Sequence, residues 1–248
     1  MKKMILPNNL DLFYLSKAET EFIYKEIFIE KEYLKHGITI NDKDCIFDVG
    51  ANIGLFSIFL STLQKQFNIF AFEPVKPIFE VLKANVNLHS VPNISIYNHG
   101  LGTENISAKT FTFYPNMAGN STSKPWEKVN QRAVMNTALN QDIVDCFFQS
   151  QEVKCEIKTL SSVINSLAIK TIHLLKIDVE GEEYEVLNGI NQSDWNKIQQ
   201  IVLEVQDTEG RISKIQTLLE NQGFRIIIDP NNMIPSTLKM FNMYAIRA

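Results

Sequence analysis

From residue 45 onward, short apolar runs alternate with longer amphipathic ones. Cys45-Ile46-Phe47-Asp48-Val49, residues 69–73 and residues 94–99 are brief and rich in β-branched and aromatic side chains, as buried strands are. Residues 55–60 and 77–89 lie between them and read as helices, the second with Pro77 in its first turn. Strand, helix, strand, helix, strand is the mark of βαβ units and a parallel sheet. The pattern resumes with a helix at 160–167, a strand at 172–178, a helix at 182–188, a strand at 201–205 and a helix at 212–221 that stops at Gly223. Strands at 224–228 and 241–246 close the chain. Their Pro/Asn-rich connection has no room for a crossover helix, so they should pair antiparallel.

Two stretches break the alternation. Residues 10–35 place Phe22, Ile23, Ile27, Phe28 and Tyr33 or Leu34 near the 3.6 period, with Glu19, Glu21, Lys25, Glu26 and Lys31 on the wet side. This predicts a helical extension over residues 1–40, ending at His36-Gly37, beside a main domain over residues 41–248. Its plain role is packing; its sharper role is to wall a pocket. Residues 110–114 alternate like a strand, 115–123 form a polar turn-rich loop, and 126–150 are weakly helical and longer than a connection needs. An inserted lid over about residues 115–152 is expected at the sheet edge. The fold class is therefore α/β and Rossmann-like, with a seven-stranded, mostly parallel sheet whose last strand is antiparallel.

Composition narrows the picture. A length of 248 residues suits one such domain, and 45% hydrophobic with 21% charged residues suits a packed core. A net charge of −4 without a basic tract argues against a nucleic-acid partner, which needs clustered Lys and Arg. Cys45, Cys146 and Cys155 show no CxxC pairing, so a reducing cytoplasm is expected and a zinc site is not. No segment nears the roughly 18 apolar residues of a membrane span. No long apolar run follows the charged N-terminus. The expectation is a cytoplasmic protein with neither membrane nor nucleic-acid partner; its oligomeric state is left open.

Three motifs carry candidate chemistry. Asp48-x-Gly50-x-Asn52-x-Gly54 lies at the carboxyl end of the first strand, where open α/β sheets bind ligands. Its glycines let backbone approach a bound molecule. A dinucleotide site would want GxGxxG for its pyrophosphate, whereas here an acid precedes a GxxxG. S-adenosylmethionine (SAM) carries no phosphate but does carry a sulfonium and an amino group, so it tolerates that acid. A tight turn without ligand is the plain alternative. Glu73 ends the second strand, 25 residues after Asp48, where an acid commonly binds ribose hydroxyls.

The third motif is Lys176-Ile177-Asp178-Val179-Glu180-Gly181-Glu182. Alternation puts Lys176, Asp178 and Glu180 on one face near the strand's end. In methyl transfer to a hydroxyl, Asp178 or Glu180 is placed to take the proton, and Lys176 to hold the carboxylates or steer the hydroxyl. The plain alternative is a brace for the loop, because buried charges need partners. Asp178 with Glu204 or Asp207 offers oxygen ligands for Mg²⁺, but the pattern is loose and surface carboxylates explain it as well. Of the histidines, His99 is the best placed for proton transfer; His36, His89 and His173 fit structural positions.

Residues 47–60, 72–89 and 174–190 together resemble the FkbM-type methyltransferases, and the likeness runs from about Glu19 to the C-terminus. The Lys176 to Gly181 segment is its most family-specific part. The resemblance implies a class I SAM-dependent fold and, for many members, O-methylation in secondary metabolism, alone or inside polyketide and nonribosomal peptide synthases. It puts Asp48, Gly50, Asn52, Gly54, Glu73 and Asp178 on cofactor positions and Gly100 and Leu101 at the adenine edge. The loop holding Asn120 and Ser121 resembles a segment near the family's active site. The implied partner is a small-molecule or acyl-carrier-protein-bound hydroxyl substrate. A sugar hydroxyl, a nitrogen acceptor and a non-catalytic SAM-binding module are the rival readings.

Overall fold

The computed structural model describes residues 1–247. In chain order its elements are β1 (Lys2–Ile5), β2 (Asp11–Tyr14), α1 (Lys17–Tyr24), β3 (Cys45–Val49), α2 (Leu55–Ser61), β4 (Asn68–Phe72), α3 (Lys76–His89), β5 (Ile94–Tyr97), β6 (Gly100–Leu101) and β7 (Ile106–Phe113). Then come α4 (Val129–Ala138), α5 (Gln141–Phe147), β8 (Gln151–Lys158), α6 (Leu160–Ser166), β9 (Leu174–Ile177), α7 (Glu183–Asn188), β10 (Gln200–Gln206), α8 (Arg211–Asn221), β11 (Phe224–Pro230) and β12 (Met240–Arg247).

The main sheet has seven strands in the order β11-β12-β10-β9-β3-β4-β5. Strands β10, β9, β3, β4 and β5 run parallel, while β12 inserts antiparallel between β10 and β11. This is the expected sheet. The period of two divides each central strand between two cores. Ile46, Leu174 and Val202 face a cluster with α2 and the N-terminal segment. Phe47, Leu175 and Leu203 face a second cluster with α6, α7 and α8. A strand buried on both faces reads as an unbroken apolar run, which is why these strands were visible in the sequence.

The N-terminal segment departs from the expected single helix. Residues 10–14 belong to a hairpin, β1 paired antiparallel with β2. Asn85 of α3 secures it, accepting the Phe13 N–H at 2.7 Å and donating to the Phe13 carbonyl at 3.0 Å. The helix begins only at Lys17 and passes into a π-helical turn at Lys25–Ile29. It ends before Lys31, whose φ of 52° is left-handed, rather than at His36. Leu6, Leu12, Tyr24 and Tyr33 share the core of the main sheet, so residues 1–40 are built into the domain. Within the expected lid, α4 and α5 pack on each other. A three-stranded sheet, β6-β8-β7, underlies it. Strand β8 went unread, although Val153, Cys155 and Ile157 alternate in it. Among the described residues no helix is long and apolar enough to cross a membrane.

Candidate active site

The loop after β3 is shaped by what presses on it. Gly50 has a φ of 79°, and a Cβ there would lie 1.7 Å from the Asp178 carbonyl oxygen, so no other residue fits. Its N–H and that of Ala51 donate to the Phe72 carbonyl at 3.0 and 2.9 Å. Asn52 donates its backbone N–H to Glu73 Oε2 at 3.1 Å, and Val75 donates to Glu73 Oε1 at 2.9 Å. Glu73 is 5% exposed. Burial pushes its carboxyl up to about 7, against the pull of those two N–H groups and of Lys176.

Two expected cofactor residues serve the scaffold instead. Gly54 starts α2 with a φ of 92°, and a Cβ there would meet Leu82 Cδ1 at 2.6 Å; it lets α2 pack on α3 and does not line the cavity. Asp48 is fully buried below the loop. Its Oδ2 accepts the Ser57 hydroxyl at 3.0 Å and its Oδ1 lies 3.1 Å from Lys176 Nζ.

A cavity of about 430 Å³ runs across the carboxyl ends of the strands, within the roughly 300–1,000 Å³ usual for small-molecule sites. The strand order sets its course. On the β4–β5 side it is lined by Glu73, Val75, Ile78, Gly100 and Leu101. Over β3 and β9 it meets Gly50, Asn52, Asp178 and Glu180. Toward β10 and the β11–β12 connection Met233, Ile234, Pro235, Leu238 and Met240 line it together with Val134, Met135 and Phe147 of residues 115–152, and Glu204 and Gln206 of β10 are the polar groups among them. Phe22, Ile23 and Glu19 of α1 complete a wall, with Asn120 and Ser121 beside them.

Lys176 is 3% exposed and holds the floor together. Its ammonium donates to the Gly50 carbonyl at 2.9 Å and lies 3.5 Å from Asp178 Oδ2. Burial works against its charge, but Asp48 and Asp178 outweigh it and hold the ammonium above its ordinary value. Lys176 does not line the main cavity, so its place is that of a brace. Asp178 does line it, and its Oδ2 also accepts the Tyr33 hydroxyl at 2.9 Å.

The acidic run after Asp178 ties down the lid. Glu180, with a φ of 55°, pairs through Oε2 with the buried Lys128. Burial raises the Glu180 carboxyl against that ammonium. Glu182 accepts from Lys109 and from the Ser123 hydroxyl, both at 2.5 Å, and Glu185 pairs with Lys124 at 2.6 Å. Arg211 joins Glu183, at 3.8 Å, to Glu127 of the lid, at 2.6 Å.

Sequence reasoning missed Lys128, Glu19 and Glu26. Glu19 accepts the Gly119 and Ala118 N–H groups at 2.6 and 3.1 Å and so fastens α1 to the Asn120 loop. Burial holds it at about 7. Asn120 in turn donates to Gln131 of α4 at 2.9 Å. Glu26, expected on the wet side, is 4% exposed and lines the cavity. Phe22, expected inside, is 39% exposed at the cavity mouth.

Of the histidines only His99 departs from expectation, and the three candidate metal ligands do not all meet at the cavity. His99 is buried against Phe72 and Tyr97, with ring centroids at 5.4 and 5.7 Å, and does not line the cavity. That position removes it from proton transfer. His36 meets Asp229 on the surface, His89 the Asp11 carbonyl, and His173 the Cys45 N–H. Asp178 and Glu204 line the cavity, but Asp207 accepts the Ile212 N–H at 3.2 Å and lies outside it. Among the described residues no group of three or more His, Cys, Asp or Glu side chains is arranged to hold a metal ion.

Residues 48–226 match the model of the methyltransferase FkbM domain. The chain is 36% identical over 233 residues to Methyltransferase 1 of Beauveria bassiana (strain ARSEF 2860), covering 94% of this chain and 92% of that one. It is 32% identical over 241 residues to the 31-O-demethyl-FK506 methyltransferase FkbM of Streptomyces tacrolimicus, with the same coverage of 94% and 92%. Among solved structures, a methyltransferase FkbM from Methylobacillus flagellatus KT superposes with a TM-score of 0.53 at 13% identity, covering 86% of this chain and 46% of that one. The last likeness speaks for the class I methyltransferase fold alone.

Proposed function

This chain belongs to the FkbM methyltransferase family, and on that premise we propose that it transfers a methyl group from SAM to a hydroxyl oxygen of a largely apolar acceptor. Polyketide or peptide intermediates, free or held on an acyl carrier protein, are the acceptor class that fits. The observation that carries this reading is one cavity with a buried carboxylate at its β4 end and an apolar lining at its far end.

The residues at the β4 end suit SAM. Glu73 keeps lone pairs free beyond its two backbone bonds, and a carboxylate raised to about 7 by burial gains from two hydroxyl donors such as a ribose diol offers. Gly100 and Leu101 are assigned to the adenine edge and Gly50 and Asn52 to the rest of SAM on this reading, and all four line the cavity. SAM supplies an electrophilic methyl group on a sulfonium. Asp178 and Glu180 face that region and hold the acceptor hydroxyl.

The far end separates acceptor classes. Methionine side chains adapt to irregular apolar shapes, and Met135, Met233 and Met240 line that end. A sugar hydroxyl set against these methionines would go unpaired, and only Glu204 and Gln206 offer it partners on the β10 side. Mass spectrometry after incubation with SAM tests the assignment on paired acceptors, a macrolactone alcohol or hydroxyacyl carrier protein against free hexoses and amines. Gain of one methylene by the apolar hydroxyl supports it; gain only by hexose or amine overturns it.

A further inference from the structure

The hydrogen bond on the Asp178 carboxylate comes from 145 residues away, where the Tyr33 hydroxyl donates to Oδ2 at 2.9 Å. Among the described residues it is the only hydrogen bond this carboxylate receives. The Lys176 ammonium makes its closer contacts with the Gly50 carbonyl at 2.9 Å and Asp48 Oδ1 at 3.1 Å, and stands 3.5 Å from the same Asp178 Oδ2. Both partners therefore engage one oxygen, and Oδ1 is left to the cavity that Asp178 lines. A carboxylate turns about its last bond through a broad torsional well, so one well-placed donor decides which oxygen points where.

Tyr33 is held where that donor is needed. It is 2% exposed, in the tight turn Glu32–Leu34 that follows the left-handed Lys31. Its ring stands edge-on to that of Phe56 in α2, with centroids 5.3 Å apart, and the Lys176 ammonium lies 5.2 Å from its centre. Glu32 pins the turn to β12: its carbonyl accepts the Tyr244 hydroxyl at 2.9 Å, and its carboxylate accepts from Asn242 Nδ2 at 3.2 Å. A phenol keeps its proton at neutral pH and can donate it. Packing against Phe56 needs only the ring; the hydroxyl is what packing leaves unexplained. We propose that Tyr33 is a positioning residue for methyl transfer: by holding Asp178 Oδ2 it keeps Oδ1 turned to the acceptor hydroxyl. The proposal rests on the methyl-transfer reading, and it brings into the site a residue from outside the stretch 48–226 that matches the family model.

Tyr33→Phe removes the hydroxyl and keeps the ring, and a melting curve checks its folding. Carbon NMR of the free protein, with aspartate labelled at its carboxyl carbon, identifies Asp178 as the signal lost in Asp178→Asn. That signal should move in Tyr33→Phe while the other aspartate signals stay; an unmoved signal overturns the proposal. Calorimetry should give wild type and Tyr33→Phe the same SAM affinity. On an acceptor that the wild type methylates, Tyr33→Phe should lose about 10-fold in kcat, less than Asp178→Asn because Lys176 still stands beside the carboxylate. In the Asp178→Asn background the same change should cost nothing more, since Tyr33 acts through Asp178. Wild-type kcat in Tyr33→Phe, an equal kcat loss in both backgrounds, or a loss of SAM affinity as large as the loss of kcat overturns the positioning role. A wild type that binds no SAM removes the methyl-transfer reading and leaves the NMR result standing.

Discussion

Glu73 Oε2 accepts the backbone N–H of Asn52 at 3.1 Å, which ties the end of β4 to the loop after β3. The bond orients a buried carboxylate into the cavity and at the same time fixes a residue in left-handed backbone, Asn52 at a φ of 50°.

Removing that carboxylate should weaken SAM binding. Glu73→Ala is expected to cost about 1–3 kcal/mol, the penalty of unpaired hydroxyl donors. Unchanged affinity by calorimetry contradicts the ribose assignment.

The same carboxylate makes stability depend on pH. Its folded value, about 7, lies above the ordinary 4.5. Its contribution is therefore fully present below about 4.5 and is lost as pH rises through about 7. Glu19, Glu26 and Glu183 act in the same direction, so the comparison must be wild type against Glu73→Gln. The variant should lose less stability across that window, read as melting temperature. Parallel curves refute the coupling.

Lys128→Met should loosen the lid. It leaves Glu180 without its cation, and one-sided removal from a buried pair costs about 3–5 kcal/mol. Glu180 is 24% exposed, which places the expected loss at the low end of that range. Proteolysis within α4 and α5 should quicken before the sheet unfolds; unaltered cleavage there means that the pair does not hold the lid.

On the proposed reading Asp178 serves the acceptor, and Glu73 with the β3 loop serves SAM, so Asp178→Asn should lower turnover much more than SAM affinity; all of them line the one cavity. A loss of about 10²-fold in kcat is expected. Equal losses in binding and turnover would make Asp178 a cofactor ligand only.

The sheet was legible because its central strands β3, β9 and β10, buried on both faces, spell apolar runs such as Cys45 to Val49. Gly50 and Glu73 were legible because strand ends are where such sheets bind ligands. The N-terminal hairpin was not, since Asn85, 72 residues away, holds its second strand. Periodicity also misjudged Glu19 and Glu26. It separates apolar from polar positions but does not tell solvent from a polar cavity. Lys128 sits 52 residues before its partner Glu180 in a stretch without clear period, and only the folded lid brings them together. His99 failed for the opposite reason: its place after the third strand was right, but its ring packs against Phe72 and Tyr97 and does not line the cavity.

The most direct test of methyl transfer to an apolar hydroxyl uses SAM labelled in its methyl group. The enzyme is incubated with this SAM and a macrolactone alcohol or hydroxyacyl carrier protein, and the product is examined by mass spectrometry and NMR. The account predicts one labelled methyl on the hydroxyl oxygen, reduced in Asp178→Asn. Label on carbon or nitrogen, or SAM bound with no transfer to any hydroxyl, would contradict it.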